Sequence, residues 1–313
     1  MRIYKVKKSS KSPHTRRKIS ENGTLLAMLF VPILLTIIFS YIPMYGLFIA
    51  FENNYHPLNG FFHTGFAGFK NFEKLFNSYG FLNLMKNTLV LNGLNLLFTP
   101  APMILAIVIY HCPFRFIKKL LSNVCILPGL LSTVVVVAIL QRFLSTDGML
   151  NDLLSFFGIP PKNHLINGEA FYITYVLSGV WQSIGFGSLI YSAVLADRSE
   201  LQHKAAMLDG ASLFQRIIHL DMALLAPYFW LSVIFNMGSI LSNNVEKLLL
   251  MRNTANQLYS ATLSTFAYEK VFEAAFPNYS LAAAAGLLAS VLQIIAMLLV
   301  DRWRRKNDLK SAI

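Results

Sequence analysis

Six stretches of this chain are apolar for about twenty residues or more, near 24–50, 86–110, 117–143, 171–196, 223–243 and 281–300, with polar connections between them. Each is long enough to cross roughly 30 Å of hydrocarbon as a helix. None alternates with the period of 2 that marks a barrel strand. A backbone in lipid must satisfy its own hydrogen bonds, so the pattern predicts an all-α membrane protein of six spanning helices. Pro32 and Pro43 in the first run, and Pro100 and Pro102 in the second, predict bends. After the first run, Phe69, Phe72, Leu75 and Phe76 recur at helical spacing, with Lys70, Glu73 and Lys74 on the other face. That is a short helix lying on the membrane or capping the bundle. Residues 1–23 read as a basic tail, 24–300 as one transmembrane domain and 301–313 as a second basic tail. The first run is too long for a signal core and has no A-x-A cleavage site at a sensible distance, so an uncleaved anchor is expected.

Composition agrees: 55% hydrophobic, 13% charged and mean hydropathy +0.52 lie outside the soluble range. The net charge of +12 raises a nucleic-acid reading, which the placement of the charge opposes. Lys and Arg gather at Arg2–Lys18, Arg115–Lys119 and Arg302–Lys310, each beside an apolar run, and no aromatic-basic RNA motif occurs. With six spans, one side holds 19 Lys and Arg and the other 6. This predicts an N-in, C-in topology with the 197–222 connection in the cytoplasm. Cys112 and Cys125 have neither disulfide nor metal spacing and read as free thiols.

That connection carries Lys204-Ala205-Ala206-Met207-Leu208-Asp209-Gly210-Ala211. The residues from Glu200 to Met207 favour helix, and Asp209-Gly210 breaks it, since Gly accepts φ > 0. A second amphipathic helix is expected over Leu213, Phe214, Ile217, Ile218 and Leu220. The small residues allow close approach to a groove on another protein.

This loop resembles the E-A-A-x-x-x-G signature of ABC importer permeases. The likeness extends to the polysaccharide/aldouronate-type sugar permeases, a group related to the maltose-type. It is carried by Tyr41-Ile-Pro-Met-Tyr-Gly46, Gly68-Phe-Lys-Asn-Phe72, Lys86-Asn-Thr88, Pro100-Ala-Pro102, Leu127-Pro128, Tyr175-Val-Leu-Ser-Gly-Val-Trp-Gln-Ser183 and Glu246-Lys247, and covers about 24–300. Two departures occur: the Glu of the E-A-A triplet is Lys204, and the Pro expected after Leu220-Asp221 is Met222. The resemblance implies a type I importer permease that moves an oligosaccharide or polysaccharide fragment inward by alternating access. It implies docking to an ATPase through Glu200, Lys204, Ala205, Ala206, Asp209, Gly210, Ala211, Phe214 and Ile217. The partners it implies are a second permease, a heterodimer being favoured, two ABC ATPase subunits and an extracytoplasmic solute-binding protein. ATP and Mg belong to the ATPase. This chain has no G-x-x-x-x-G-K-S/T loop and is expected to bind no cofactor and to be no enzyme.

In that family the substrate crosses between two permeases. Polar groups at membrane depth are costly unless they line a wet cavity or find a partner. Trp181, Gln182, Tyr191, Asn236, Ser239, Asn243 and Glu246 are therefore candidates for binding sugar, with Asn244 beside them. The bland alternative is that Asn236 and Ser239 bond neighbouring helices and that Glu246 and Lys247 are an exposed pair. No metal site is expected: His56 and His63 lack a third ligand, and His203 and His219 are expected to face water. A phosphate solute would favour Arg or Lys inside the helices, and almost none is there. A stand-alone secondary transporter predicts inverted repeats and intramembrane ionisable groups, and neither is seen. An intramembrane enzyme lacks any nucleophile-base or metal set.

Overall fold

The computed structural model describes residues 23–61, 63–165 and 168–311, with the side chains of 24–27, 169, 197–201 and 307–311 outside that description. The basic tail expected over 1–23 thus lies, Gly23 apart, outside the described residues. Among these residues there are helices and no strand. They group into two units that divide after Phe48.

In the first unit, α1 (Gly23–Thr36) contains Pro32, which cannot donate in the helical ladder. The Thr36 hydroxyl donates to the Pro32 carbonyl at 2.8 Å. A π segment (Ile37–Tyr41) and a 3-10 stretch (Ile42–Phe51) follow, so the first span is not one straight α-helix.

In the second unit, α2 (Lys70–Phe76) turns Leu75 into a buried cluster with Leu263, Leu281 and Ala285, while Phe69 and Phe76 stay exposed. The helix therefore both caps the bundle and presents aromatic rings outward. The second span is α3 (Phe81–Leu97) and α4 (Ala101–His111), broken at Pro100 as expected. The third apolar run divides more sharply. α5 (Arg115–Ile126) ends in the turn Leu127–Leu130, and α6 (Thr133–Leu144) and α7 (Met149–Ser155) follow. The helix expected over 117–143 is thus two, because Pro128-Gly129 ends the first and Ser132 caps the second by accepting from the Val135 N–H.

α8 (Gly168–Leu208) is a single helix of 41 residues, about 60 Å at 1.5 Å per residue. Gly185 lets it touch the end of α5: a Cβ there would lie 2.0 Å from the Cys125 carbonyl oxygen. α9 (Leu213–Arg216) leads through a π segment (Ile217–Asp221) into α10 (Met222–Met237). α11 (Val245–Met251), α12 (Gln257–Ser260) and α13 (Leu263–Phe272) are short. α14 (Tyr279–Ser311) continues past residue 300, where the sixth span was expected to stop. Six helical stretches are long and apolar enough to cross a bilayer. Their large exposed side chains, Leu89, Ile104, Leu231, Ile294 and Leu299 among them, suit lipid.

Two clusters tie the second unit together. Leu91, Val137, Phe171, Val176, Leu248 and Met251 join α3, α6, α8 and α11. Met103, Ala106 and Ile107 of α4 meet Tyr191 and Leu195 of α8 and Leu225 of α10.

Candidate permeation cavity and docking turn

A cavity of about 460 Å³ opens between α3, α4, α8, α10 and the segment leading to α11, within the few hundred Å³ usual for ligand sites. Asn92, Asn95 and Thr99 line it from the second span. Tyr175, Ser183 and Tyr191 line it from α8, and Ser232 and Asn236 from α10. Ser239, Ser242, Asn243 and Asn244 close it. The polar groups of the wall are amides and hydroxyls, set among apolar side chains such as Leu96, Phe98, Ile184 and Met237, with no charged side chain among the lining residues.

Most of these groups are held. The Tyr191 hydroxyl lies 2.9 Å from Ser232 Oγ, the Asn236 amide donates to Thr99 Oγ1 at 3.3 Å, and Ser239 Oγ donates to the Asn236 carbonyl at 3.2 Å. Asn243 is the exception: its amide nitrogen and oxygen are both buried, with no partner among the described residues. Buried polar groups are nearly always paired, so such an amide is suited to a ligand or to water.

Four candidate residues meet here: Tyr191, Asn236, Ser239 and Asn243. Three do not. Trp181 is exposed, Gln182 donates to the Leu131 carbonyl at 3.0 Å, and Glu246 is exposed on the first turn of α11. Asn92, Asn95 and Thr99 were missed, although amides in an otherwise apolar run are a signal legible in the sequence. Lys247 is not an exposed partner of Glu246. It is 4% exposed, donates to the Tyr175 carbonyl at 3.0 Å and lies 4.8 Å from the Tyr175 ring centroid. Burial pushes its ammonium down to about 8.

At the other end of α8 the predicted break occurs at Leu208. Gly210 has φ +80°, its N–H reaches the Met207 carbonyl, and the Ala211 N–H reaches the Ala206 carbonyl at 2.9 Å. This is the left-handed helix stop that Gly alone adopts without strain. Ser212 then starts α9 with a reciprocal capping box to Gln215, a serine-to-glutamine spacing that the sequence reading passed over. Lys204, Ala205, Asp209, Gly210 and Phe214 are exposed, and Ala206 and Ala211 are half-buried. Met207, Leu208 and Leu213, not among the predicted docking residues, add exposed apolar surface. Ile217 instead packs on the Met103–Leu225 cluster. The side chain of Glu200 lies outside the described residues.

His203 does not face water. It is buried, with Nε2 2.8 Å from Asp221 Oδ1. His219 is exposed, as expected.

The Polygalacturonan/rhamnogalacturonan transport system permease protein YteP of Bacillus subtilis is 29% identical over 291 residues, spanning 92% of this chain and 90% of its own. Protein LplB of the same organism is 31% identical over 286 residues, spanning 90% and 89%. A crystal structure of a bacterial ABC transporter involved in import of the acidic polysaccharide alginate contains a chain with TM-score 0.81. That chain is 29% identical, with 94% of this chain and 99% of that one covered. The chain belongs to the permeases of carbohydrate ABC importers. No family model matches it. As such a permease it is a multi-pass protein of the bacterial plasma membrane and a transport subunit.

Proposed function

We infer that this permease carries an oligosaccharide or polysaccharide fragment inward, delivered by a binding protein, and that the cavity between α3, α8 and α10 is its half of the path. The observation behind this is the Asn243 amide, without a partner among the described residues, in a wall whose polar groups are all amides and hydroxyls. Sugar hydroxyls both donate and accept, which suits such a wall better than an ion or a lipid tail would. The binding protein is argued from the related alginate importer, whose structure was solved with a periplasmic protein bound to an alginate pentasaccharide.

Drive would come from a separate pair of ABC ATPases docked on the 200–221 turn. Its exposed Met207, Leu208, Leu213 and Phe214 form an apolar patch beside a polar loop, as expected of a protein contact. The chain would sit N-in, C-in and pair with a second, non-identical permease. Alternating access follows if a movement of the turn passes into α8 and α10, which continue from it without a break.

An acidic glycan is a second reading. YteP is named for polygalacturonan and the solved importer carries alginate. The buried Lys247 ammonium lies behind the cavity wall, 3.4 Å from where a Cβ on Gly179 would be. Uptake by the reconstituted importer, fed with a neutral oligosaccharide or a uronate oligomer of equal length on the binding protein, tests both. Saturable ATP-dependent entry of either supports a sugar path, and the preferred one identifies the class. Entry of neither removes the sugar reading.

A further inference from the structure

Three titratable side chains from distant parts of the sequence meet at the docking end of the bundle. His111 ends α4, His203 lies near the end of α8 and Asp221 closes the π segment before α10. His111 Nε2 is 2.6 Å from Asp221 Oδ2 and His203 Nε2 is 2.8 Å from Oδ1. Asp221 is fully buried, His203 nearly so, and the His111 side chain is 14% exposed. The rings stand edge to face, their centroids 5.2 Å apart. The π segment adds one residue to the turn, and such insertions re-aim side chains at functional sites.

Each carboxylate oxygen thus accepts from a different imidazole. The same atoms lie within 4.8 Å of one another, as metal ligands would. A metal would take both Nε2 lone pairs and move each ring proton to Nδ1. At His203 that proton would have no acceptor, since Nδ1 is buried without a partner among the described residues. Ligating imidazoles almost always donate their second N–H. A hydrogen-bonded bridge with Nε2 protonated leaves only a lone pair unmatched there.

Chain continuity links the docking turn to α8 and α10 and to nothing else. α4 also meets these helices through apolar contacts of Met103, Ala106 and Ile107 with Leu195, Leu225 and Ile217, and the bridge adds the directional polar tie at its end, joining His111 to Asp221 across 110 positions. α4 is an uninterrupted α-helix of 11 residues. Its far end carries Pro102, and the turn before it carries Thr99, both in the cavity wall. The helix spans about 15 Å between bridge and cavity. We propose that His111, His203 and Asp221 are positioning residues that make α4 a lever, so that displacement of the docking turn is delivered to the cavity wall through the second span. This rests on the reading of 200–221 as the ATPase contact.

The test uses the whole importer in lipid nanodiscs: this chain, its sister permease, the ATPase and loaded binding protein. ATP hydrolysis is measured against binding-protein concentration, and ATPase retention during purification is measured beside it. Asp221→Asn and His111→Leu should lower maximal stimulation about tenfold, with half-saturation within about twofold and ATPase retained. His111→Gln, whose amide can donate from near the Nε2 position, should recover at least half. If Asp221→Asn is not inserted, the His111 pair decides. Wild-type stimulation in His111→Leu, or equal loss in His111→Leu and His111→Gln, overturns the lever. So does stoichiometric Co²⁺ binding with visible absorption that His203→Leu abolishes. Failure of the docking reading is separate: ATPase retention and stimulation would then be unaffected by Gly210→Asp.

Discussion

The two ends of α8 treat their polar groups in opposite ways. At the cavity, Asn243 has no partner for either amide atom among the described residues, and the Asn236–Thr99 and Ser239–Asn236 bonds are long, at 3.3 and 3.2 Å. At the docking turn, Asp221 gives both oxygens to imidazoles. An unpaired buried amide costs on the order of 1–3 kcal/mol until something binds it. A doubly bonded carboxylate resists any displacement that would separate it from its donors, because a buried charge left alone is costlier still. One end is built to receive a hydrogen-bonding guest and the other to move as a piece. A transporter needs both, and in this chain α8 joins them as one continuous helix.

The largest effect is expected of Gly210→Asp. The position has φ +80° and open space around it, so the variant meets strain of roughly 1–2 kcal/mol from the left-handed backbone, plus a new charge at the exposed patch. Membrane abundance should stay near wild type while substrate-stimulated hydrolysis falls to the basal level. Gly210→Ala, with the strain and no charge, should keep part of the stimulation; equal loss in both would assign the whole effect to backbone.

Lys247 offers a second test, read as stability against pH. Burial lowers its pKa from 10.5 to about 8. Below about 8 the folded protein holds a desolvated ammonium that the unfolded chain holds in water. Between about 8 and 10.5 the unfolded state binds more protons, so stability rises with pH and then levels off, by at most about 3 kcal/mol. Thermal unfolding in detergent across that window should show the rise in the wild type and lose it in Lys247→Met.

At the cavity, Asn243→Leu removes an amide that nothing in the described structure satisfies. The unliganded protein should be equally stable or more so, while uptake falls about tenfold, roughly 1.4 kcal/mol of binding. Loss of stability with unchanged uptake would make Asn243 a structural residue. The smallest effect is expected of Glu246→Ala. Its side chain is exposed and outside the cavity, and an acidic group in the first turn of α11 contributes only about 0.3–1 kcal/mol. Uptake within about twofold of wild type is expected, and a tenfold loss would move the path toward α11.

The number of spans, the stop at Gly210 and the family can be read from the chain alone, because each is written locally. Twenty apolar residues, a glycine after a helical run and a run of matching motifs need no distant partner to be read. The bend at Pro100 was legible in the same way, whereas the third run was read as one helix, and its split into α5 and α6 at Pro128-Gly129 and the Ser132 cap was not. Which polar residue faces which is set by the packing of the helices. Asn243 and Glu246 are three positions apart, yet one lies in the cavity wall with no amide partner among the described residues and the other in the open. Lys247, which looked like the exposed partner of Glu246, is turned under Tyr175. His111 and Asp221 meet across 110 positions because α4 and α10 pack against the same face of α8 through Ile107, Leu195 and Leu225. Helical periodicity assigns a residue to a face. The neighbour that face meets is set by how three helices pack, and packing is a property of the whole bundle.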